Sequence, residues 1–460
     1  MNARILILVG VVLMIIHSGC RRDEFITDCS GCLRFSSDTV FFDTLFTTIG
    51  SSTVKVKVYN TNKKAVKLDA VYLAGRSAAY SINIDGVKTT RQENLILRAK
   101  DSMFIFVAAN IPQGGGAQLN TDEIVFCSGN AVSTIKLVSW GRDVHVLRDA
   151  HFSSNTTFDS VMAYLVFGNL VIDADDTLFI RQGTELYFHK GARMTVNGTI
   201  KAAGSNQNRI LMRGDRLEKL YDDVPGQWDG IYIRSTSKNH LLSNVEIRHA
   251  VTGIQIGDYA TFSDHPAIII SNTLIRDNTY AAVVSIGADI LASNLILSNC
   301  GYYAMYIPAG GTVSCFHMTI ANYYQYAGRL NPSFSFGNSA TINGSNYEHP
   351  LAVNVVNSII YGTSGNEVSA GTKGTPAFDY YFNHCLLQTT LNIGDGAHFT
   401  SIIHNVDPLF EDAGKYKFKP KSNSPVINKG DPATGNIYPS DYLGYLRNSD
   451  SAPDLGAIEY

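Results

Sequence analysis

A short phrase recurs along the second half of the chain, in which Ser-Asn opens an aliphatic stretch that soon turns polar. It reads LSNVEIRHAV from 242, ISNTLIRDNT from 270 and ASNLILSNCG from 292. The asparagine slot is filled in order by Asn244, Asn272, Asn294, His317, Asn357 and Asn383. The intervals are 28, 22, 23, 40 and 26 residues. A unit of about 22 residues with added loops is typical of proteins that stack one repeat on the next.

An aliphatic residue stands three positions after each slot, and stacking these residues predicts one continuous core. They are Ile247, Ile275, Leu297, Ile320, Ile360 and Leu386. The asparagines themselves are expected to form a ladder of side-chain amides at a turn between coils. Because the same residue recurs where one active site needs it once, we interpret the ladder as structural.

The stretch 165–204 alternates aliphatic and polar residues, with glycines every several positions and no room for crossover helices. Parallel strands need long connections in an ordinary sheet, whereas a solenoid supplies them by winding the chain around a coil. Residues 35–142 show a different pattern. TVKVKVYNTN (53–62) alternates strictly, and further short strands follow between Asn, Gly and Asp turns. That spacing predicts a separate β-sandwich.

The N-terminus reads as a targeting segment. Arg4 precedes an apolar run, 5–16, that is too short to span a bilayer and ends in His17-Ser18-Gly19-Cys20. Small residues before a cysteine resemble the lipobox of bacterial lipoproteins, although His17 replaces the usual aliphatic residue. The resemblance implies a leader over 1–19 and an acylated Cys20 that ties the protein to a lipid bilayer without spanning it. An ordinary secretory signal is the alternative.

TLFIRQGTELYF, PGQWDGIYI and the asparagine-led repeats resemble right-handed parallel β-helix lipoproteins of the Bacteroidetes type. The closing stretch, NSPVINKGDP to PDLGAIEY, is similar to the C-terminal signature of that group. The resemblance implies an all-β chain: a tether over 20–34, an Ig-like β-sandwich over 35–142, a right-handed parallel β-helix over 143–415 and a C-terminal capping segment over 416–460. It also implies an outer-membrane lipoprotein, exposed at the cell surface.

Charge and cysteine content narrow the chemistry. A net charge of −3 and a pI near 6.5 give no reason to expect nucleic acid as a partner. Cys29 and Cys32 have the spacing of redox or zinc motifs, but no second pair completes a zinc site, so a local disulfide or an inert pair is expected. The remaining cysteines lie in apolar surroundings typical of small core residues.

Two groups of side chains are candidates for a site. Alternation along the repeats places Glu246, Arg248 and Arg276 on one outer face, with Arg276 beside Arg248 one coil on and His249 and Asp277 in the next turn. A lyase needs a base and a cation near a uronic carboxylate, so these five residues are the weak catalytic candidates. A solvated, mutually paired surface is the alternative interpretation.

The 40-residue interval predicts about 18 residues that leave the stack as a loop. Its start carries Tyr323, Tyr324, Tyr326 and Arg329, which we take as the candidate binding residues because tyrosine suits sugar rings and protein partners. Packing of the loop onto the coil is the alternative. No cofactor is expected. The acidic run Asp173–Asp176 is a weak Ca²⁺ candidate, since it lacks the usual spacing of ligands.

These features favour a surface lipoprotein, such as an adhesin, whose β-helix displays a non-catalytic recognition face for carbohydrate or protein. A polysaccharide lyase or other carbohydrate-active enzyme, centred on Arg248 and Arg276, is the competing hypothesis. A scaffold that supports a larger surface complex is the third. Fold alone does not decide among them, because this architecture carries enzymes, adhesins and inert stalks alike.

Overall fold

The computed structural model describes residues 24–114, 116–234, 236–371 and 375–460. The protein is all-β, and its contacts form two compact units divided between Asp143 and Val144. The predicted leader and Cys20 lie outside the described residues. Within the described ranges, no helix is long and apolar enough to cross a membrane.

Unit 1 contains two sheets that share one core. Its strands are β1 (Phe25–Ile26), β2 (Leu33–Phe35), β3 (Thr39–Phe46), β4 (Val54–Asn60), β5 (Ala65–Leu73), β6 (Tyr80–Ile84), β7 (Val87–Lys88), β8 (Arg91–Leu97), β9 (Ser102–Ala109), β10 (Gln118–Ser128) and β11 (Ala131–Arg142). One sheet has the order β1-β5-β10-β11-β3, with β8 paired to β5. The other has the order β2-β4-β9-β6-β7.

The period-2 pattern explains this core. Val56 and Val58 on β4 are buried, and Lys55 and Lys57, which alternate with them, point to the opposite side. The inward side chains of both sheets belong to the same hydrophobic cluster. Cys29 lies in that cluster and forms a disulfide with Cys32, which realises the first of the two expectations for this pair.

Unit 2 contains one large sheet and two small hairpins. Its strands are β12 (Val144–Phe152), β13 (Thr156–Phe158), β14 (Ala163–Ile172), β15 (Thr177–Arg181), β16 (Glu185–Phe188), β17 (Arg193–Val196), β18 (Thr199–Ala203), β19 (Ile210–Gly214), β20 (Trp228–Ile233), β21 (His240–Ser243), β22 (Val245–Arg248), β23 (Ala250–Ile256), β24 (Ala267–Asn278), β25 (Ala281–Ser285), β26 (Asp289–Cys300), β27 (Tyr303–Ile307), β28 (Gly311–Phe316), β29 (Thr319–Asn322), β30 (Phe334–Gly337), β31 (Ser339–Ile342), β32 (Ser345–Glu348), β33 (Leu351–Gly362), β34 (Val368–Gly371), β35 (Phe378–Leu387), β36 (Phe399–His404), β37 (Phe410–Asp412) and β38 (Lys417–Pro420). Short 3-10 turns cover Lys219–Tyr221, Tyr259–Thr261 and Ala413–Lys415, and a single described α-helix, α1, covers Pro432–Ile437.

The large sheet runs from β12 to β36, and most of its strands pair in parallel with strands two or three positions later in the chain. The aliphatic residues of the repeats lie directly over one another, as the spacing predicts. The ladder runs Ile247, Ile275, Leu297, Ile320 and Ile360. All five are fully buried in one cluster that extends from Phe158 to Phe399. The repeated phrase therefore builds the core.

The slot residue has the left-handed backbone conformation at each repeat. Asn244, Asn272, Asn294, His317 and Asn357 have φ between 48° and 53°. Asparagine tolerates this region better than most residues, so it suits a tight corner between strands. The prediction for the next repeat is wrong by one residue. Asn383 pairs with Val356, which is the residue before the corner residue Asn357.

His384, with φ of 49°, occupies the corner after Asn357, and Ser401, with φ of 55°, occupies the one after that. Consequently Leu387 lies over Ile360, whereas Leu386 pairs with Ile359 and faces outward. The expected amide ladder forms in part. Asn294 Nδ2 donates to Asn272 Oδ1 at 2.8 Å, but the amide of Asn244 bonds to Gly204 and Ser243.

Two corner amides, those of Asn294 and Asn357, also bond to the C-terminal segment (residues 416–460). Asn294 donates to the carbonyl of Ser440, and Asn357 exchanges hydrogen bonds with the backbone of Asp431. Further back along the stack, Asn206 donates to the carbonyl of Leu443. The segment contacts the side of the stack, where the corner asparagines and an apolar outer strip give it partners.

That outer strip consists of outward residues from successive strands: Ile296, Ala321, Ile359 and Leu386. Phe410, Phe418, Val426, Tyr442, Leu455, Ala457 and Ile458 pack onto it. Arg447 locks the arrangement. Its guanidinium is fully buried, pairs with Glu459 and donates to Asn294 Oδ1 at 2.6 Å. The residues of the closing signature thus hold the segment to the stack.

Candidate functional site

The five weak catalytic candidates do come together. Arg248 and Arg276 are paired in register on neighbouring strands, as the repeats predict. His249 and Asp277 follow at a second corner with left-handed backbone, stacked with Asn299. The cluster is a consequence of the parallel strand register, since corresponding positions of successive repeats are paired on neighbouring strands.

Arg276 is almost fully buried and is surrounded by carboxylates. Its Nη1 lies 3.1 Å from Asp223 Oδ1 and also contacts Asp277, and its Nε lies 3.4 Å from Glu246 Oε1. The ring of Tyr416 covers it at 4.1 Å. Arg248 Nε also lies 3.4 Å from Glu246 Oε1. The charges of the cluster are therefore balanced within the protein.

The ionisation of this cluster follows from its burial. Burial and the nearby Arg213 guanidinium lower the pKa of His249 to about 2, so the imidazole is neutral. Burial raises the pKa of Asp277 to about 6, against the opposing effect of Arg276. Burial lowers the pKa of Arg276, but nearby groups, chiefly Asp277 and Glu246, have the larger combined effect. The pKa is therefore raised above its ordinary value, and the guanidinium stays charged.

Two polar groups close the cluster from outside. The Tyr416 hydroxyl donates to Asp277 Oδ1 at 2.7 Å, and the Asn299 amide donates to the Tyr416 oxygen at 3.2 Å. The loop that carries Asp222 and Asp223 lies across the other side, where the Asp222 carbonyl oxygen is 2.6 Å from His249 Nε2. A neutral histidine of very low basicity behind these contacts is poorly placed to abstract a proton.

The predicted binding loop is divided between burial and exposure. Arg329 is buried, pairs with Glu367 and donates to the carbonyl of Asn331 at 2.6 Å. Tyr323 packs against the apolar outer strip, where burial raises its pKa. Tyr326 is half exposed and lies 5.7 Å from the ring of Tyr324. Arg329 and Tyr323 are thus structural, and Tyr324 and Tyr326 remain at the surface.

A larger aromatic surface lies on the outer side of β25 and β27. We name it the tyrosine face, and its members are Tyr259, Tyr280, Tyr302, Tyr303, Tyr306 and Tyr347. The small side chains of Ala281, Val284 and Ile286 form its floor. The rings of Tyr303 and Tyr306 are stacked 4.4 Å apart. Tyr302 stands at the rim and is 53% exposed.

The tyrosine face is electrically neutral. Burial, followed by neighbouring tyrosines, raises the pKa of Tyr280 to about 12. The pKa values of Tyr259 and Tyr306 are raised by the same causes, and burial alone raises the pKa of Tyr303. No charged side chain contributes to these shifts. The six hydroxyls form no hydrogen bond with any residue in the described part of the chain.

Tyr347 reaches this face from the long insertion, which leaves the stack twice. After residues 323–333 the chain returns to the sheet as β30, and it then leaves again as the hairpin β31–β32. Asn343 and Gly344, both with positive φ, make the turn. The ring of Tyr347 lies 4.7 Å from Tyr259 and 5.3 Å from Phe262. The sequence signal for this hairpin is the Asn-Gly pair.

The remaining candidate, the acidic run at 173–176, has no ligand geometry. Asp173 lies 3.6 Å from His151, and the described ranges contain no cluster of three or more His, Cys, Asp or Glu side chains that could hold a metal ion. The free thiols of Cys300, Cys315 and Cys385 are buried, which raises their pKa to about 12 and makes them unreactive.

No family model and no curated protein matches this chain. Solved structures match parts of it at low similarity. They include the ASH/PapD-like domain 7 of human CEP192 (9% identity, 26% of this chain and 89% of that one, TM-score 0.19). A protein of unknown function from Porphyromonas gingivalis W83 gives 14% identity over 27% of this chain and 61% of that one, with a TM-score of 0.19.

A family 123 glycoside hydrolase from Clostridium perfringens, studied for glycolipid glycan hydrolysis, is 7% identical over 25% of this chain and 30% of its own, with a TM-score of 0.18. At such TM-scores the neighbours indicate neither a shared overall architecture nor an activity.

Proposed function

We propose that the protein is a surface lipoprotein that binds a neutral glycan, without catalysis, on the tyrosine face of a right-handed parallel β-helix. In this proposal unit 1 is the Ig-like sandwich and Cys20 is the lipid-bearing residue. The in-register parallel ladder from Ile247 to Ile360 supports the winding. The lipobox-like sequence before Cys20 supports the anchor.

The observation that carries the binding proposal is the composition of the tyrosine face. It offers flat rings with unpaired hydroxyls over an apolar floor, and no charge acts on them. Tyrosine presents an apolar surface together with a hydroxyl at low entropic cost, which suits a ring that is apolar on its faces and polar at its edges. A sugar ring has this character. A neutral glycan fits better than an acidic one, because the face carries no cation.

The charged cluster supports the non-catalytic part of the proposal. A uronate substrate needs a free cation, whereas Arg276 is already engaged by Asp223, Glu246 and Asp277. The lyase hypothesis predicts unsaturated uronate from acidic polysaccharides and its loss in Arg248→Ala. We expect no such product from the wild-type protein.

A glycan array with neutral and acidic members is the direct test, followed by calorimetry with the best ligand. We expect neutral oligosaccharides to bind and Tyr306→Ala and Tyr347→Ala to weaken binding at least about tenfold, as for aromatic anchors in other interfaces. Tyr445→Ala is the control, since Tyr445 is an exposed tyrosine that lies in the C-terminal segment. Absence of binding to every neutral glycan, or equal loss in the control, contradicts the proposal.

A further inference from the structure

Unit 1 carries a second aromatic surface of opposite chemistry to the tyrosine face. On the outward side of the five-stranded sheet, cations alternate with phenylalanines. We name this surface the basic face, and its members are Arg34, Lys55, Lys57, Lys88, Phe104 and Phe106. The register places Lys55 opposite Phe106 and Lys57 opposite Phe104 on neighbouring strands.

The face extends across the whole sheet. Arg34 on β2 is opposite Tyr59 on β4, and at the other edge Lys88 on β7 is opposite Asn83, which is itself opposite Phe106. With strands about 4.8 Å apart, the five strands give a width of about 19 Å. Their outward positions on this side carry no Asp or Glu among the described residues. The acidic residues Asp85 and Asp101 are confined to the turns at its border.

The cations of this face differ from four others in unit 1. Lys64, Lys67, Arg76 and Arg91 each pair with a carboxylate. In the described ranges, none of the four cations of the basic face has such a partner. Instead, Lys55 Nζ lies 5.1 Å and Lys57 Nζ 5.4 Å from the centre of the Phe104 ring. The ring holds both ammonium groups over a flat surface while leaving their charges uncompensated.

Unit 1 has a net positive charge, whereas unit 2 has a net negative charge. Residues 24–143 contain 13 Lys and Arg against 11 Asp and Glu, whereas residues 144–460 contain 21 against 28. The chain is acidic as a whole, so its positive charge is concentrated where these side chains share one flat surface. Such a concentration attracts polyanions rather than neutral ligands.

We propose that the basic face binds an acidic polysaccharide, with carboxylates or sulfates at the cations and a sugar face against the exposed Phe106. A polymer suits a surface that is wide, flat and without an enclosed cavity. An anionic membrane suits it less, because the Phe104 ring lies beneath the lysines instead of projecting beyond them. This site is independent of the tyrosine face.

The test compares dextran sulfate and polygalacturonate with uncharged dextran on the immobilised protein. We expect binding to the two acidic polymers, none to dextran, and weakening as salt screens the charges. Lys55→Gln/Lys57→Gln should lower the affinity about tenfold. The control Lys63→Gln/Lys136→Gln removes the same charge from exposed positions away from this face and should change the affinity less than about twofold.

Equal losses in the two double variants would show attraction to net charge alone and would overturn the proposal. Phe104→Leu tests the contribution of the ring separately from that of the charge, since it keeps the charge and the fold but removes the ring beneath the lysines. An unchanged affinity in Phe104→Leu removes the role of the ring. Binding to phosphatidylglycerol vesicles without binding to either polysaccharide would overturn the proposal in favour of a membrane surface.

Discussion

Two outward surfaces of unit 2 are built by the same repeats, but they differ in whether the C-terminal segment covers them. On the strands that follow each corner residue, Ile296, Ile359 and Leu386 face outward and are covered by the C-terminal segment. On β25 and β27, Val284 and Tyr306 also face outward, and among the described residues their own aromatic neighbours and the β31–β32 hairpin approach them. The first surface holds the C-terminal segment on the sheet. The second is the surface on which we propose recognition.

The largest expected effect is at Arg447, which holds the C-terminal segment on the covered surface. Arg447→Met leaves Glu459 buried without its partner and removes a hydrogen bond to Asn294. Breaking a buried pair in this way costs about 3–5 kcal/mol, which urea unfolding measures. Arg181→Met, at an exposed position, is the control and should cost less than about 0.5 kcal/mol. Equal stability of the two variants would mean that the segment is not held by Arg447.

The next largest expected effect is the pH dependence of stability that arises from the Arg447–Glu459 pair. Burial raises the pKa of Glu459 from 4.5 to about 7 despite the pairing with Arg447. Between pH 4.5 and 7 the folded protein therefore holds a proton that the unfolded chain has released, so stability falls as pH rises through this window. We expect a loss of about 2 kcal/mol by urea unfolding, and a flatter profile in Glu459→Gln. A profile that is the same in both proteins would contradict this assignment.

A smaller effect is expected where the segment approaches the stack most closely. Gly456 has φ of 93°, and a Cβ there would lie 2.7 Å from Thr319 Oγ1 and 2.8 Å from Ile359 Cδ1. Gly456→Ala should thus cost about 2 kcal/mol, the sum of backbone strain and a local shift. Gly396→Ala, which has open space and ordinary dihedrals, serves as the control in thermal melts. A melting temperature unchanged by Gly456→Ala would show that the contact yields easily.

The smallest effect sharpens the contrast between the surfaces. Tyr302→Ala on the tyrosine face should change the free energy of unfolding by less than about 0.5 kcal/mol, because its side chain is half exposed. Tyr442→Ala on the covered surface removes a ring that is only 9% exposed and should cost about 3 kcal/mol. Similar losses in both variants would mean that the tyrosine face is also structural.

The repeats could be predicted because their signal is local. A corner residue followed by inward aliphatic positions fixes the stacking of Ile247, Ile275 and Leu297 without any knowledge of distant residues. The error at Asn383 arose because several polar residues accept the left-handed corner, and His384 takes that place. Residue type alone could not separate two adjacent candidates, whereas the strand register does.

The contents of both surfaces depend on contacts between distant parts of the chain. Tyr347 approaches Tyr259 although the two are 88 positions apart in the sequence, and no period links them. Arg329 looked like an exposed binding residue, since nothing near it in sequence shows that Glu367 neutralises it. The same holds for Arg276 and Tyr416. Repetition predicts the frame, but the chemistry at its surface is decided where the repetition breaks.

The lateral position of the C-terminal segment has a consequence for biosynthesis. The contact between Asn206 and Leu443 spans 237 positions, so a strip of repeats formed early stays uncovered until the C-terminal segment has been made. A chain that ends before Arg447 would present Ile296 and Ile359 to solvent along an otherwise complete sheet. Exposed apolar surface of this kind promotes aggregation and degradation. We therefore expect a chain truncated before Arg447 to aggregate, because the segment that covers this strip is then missing.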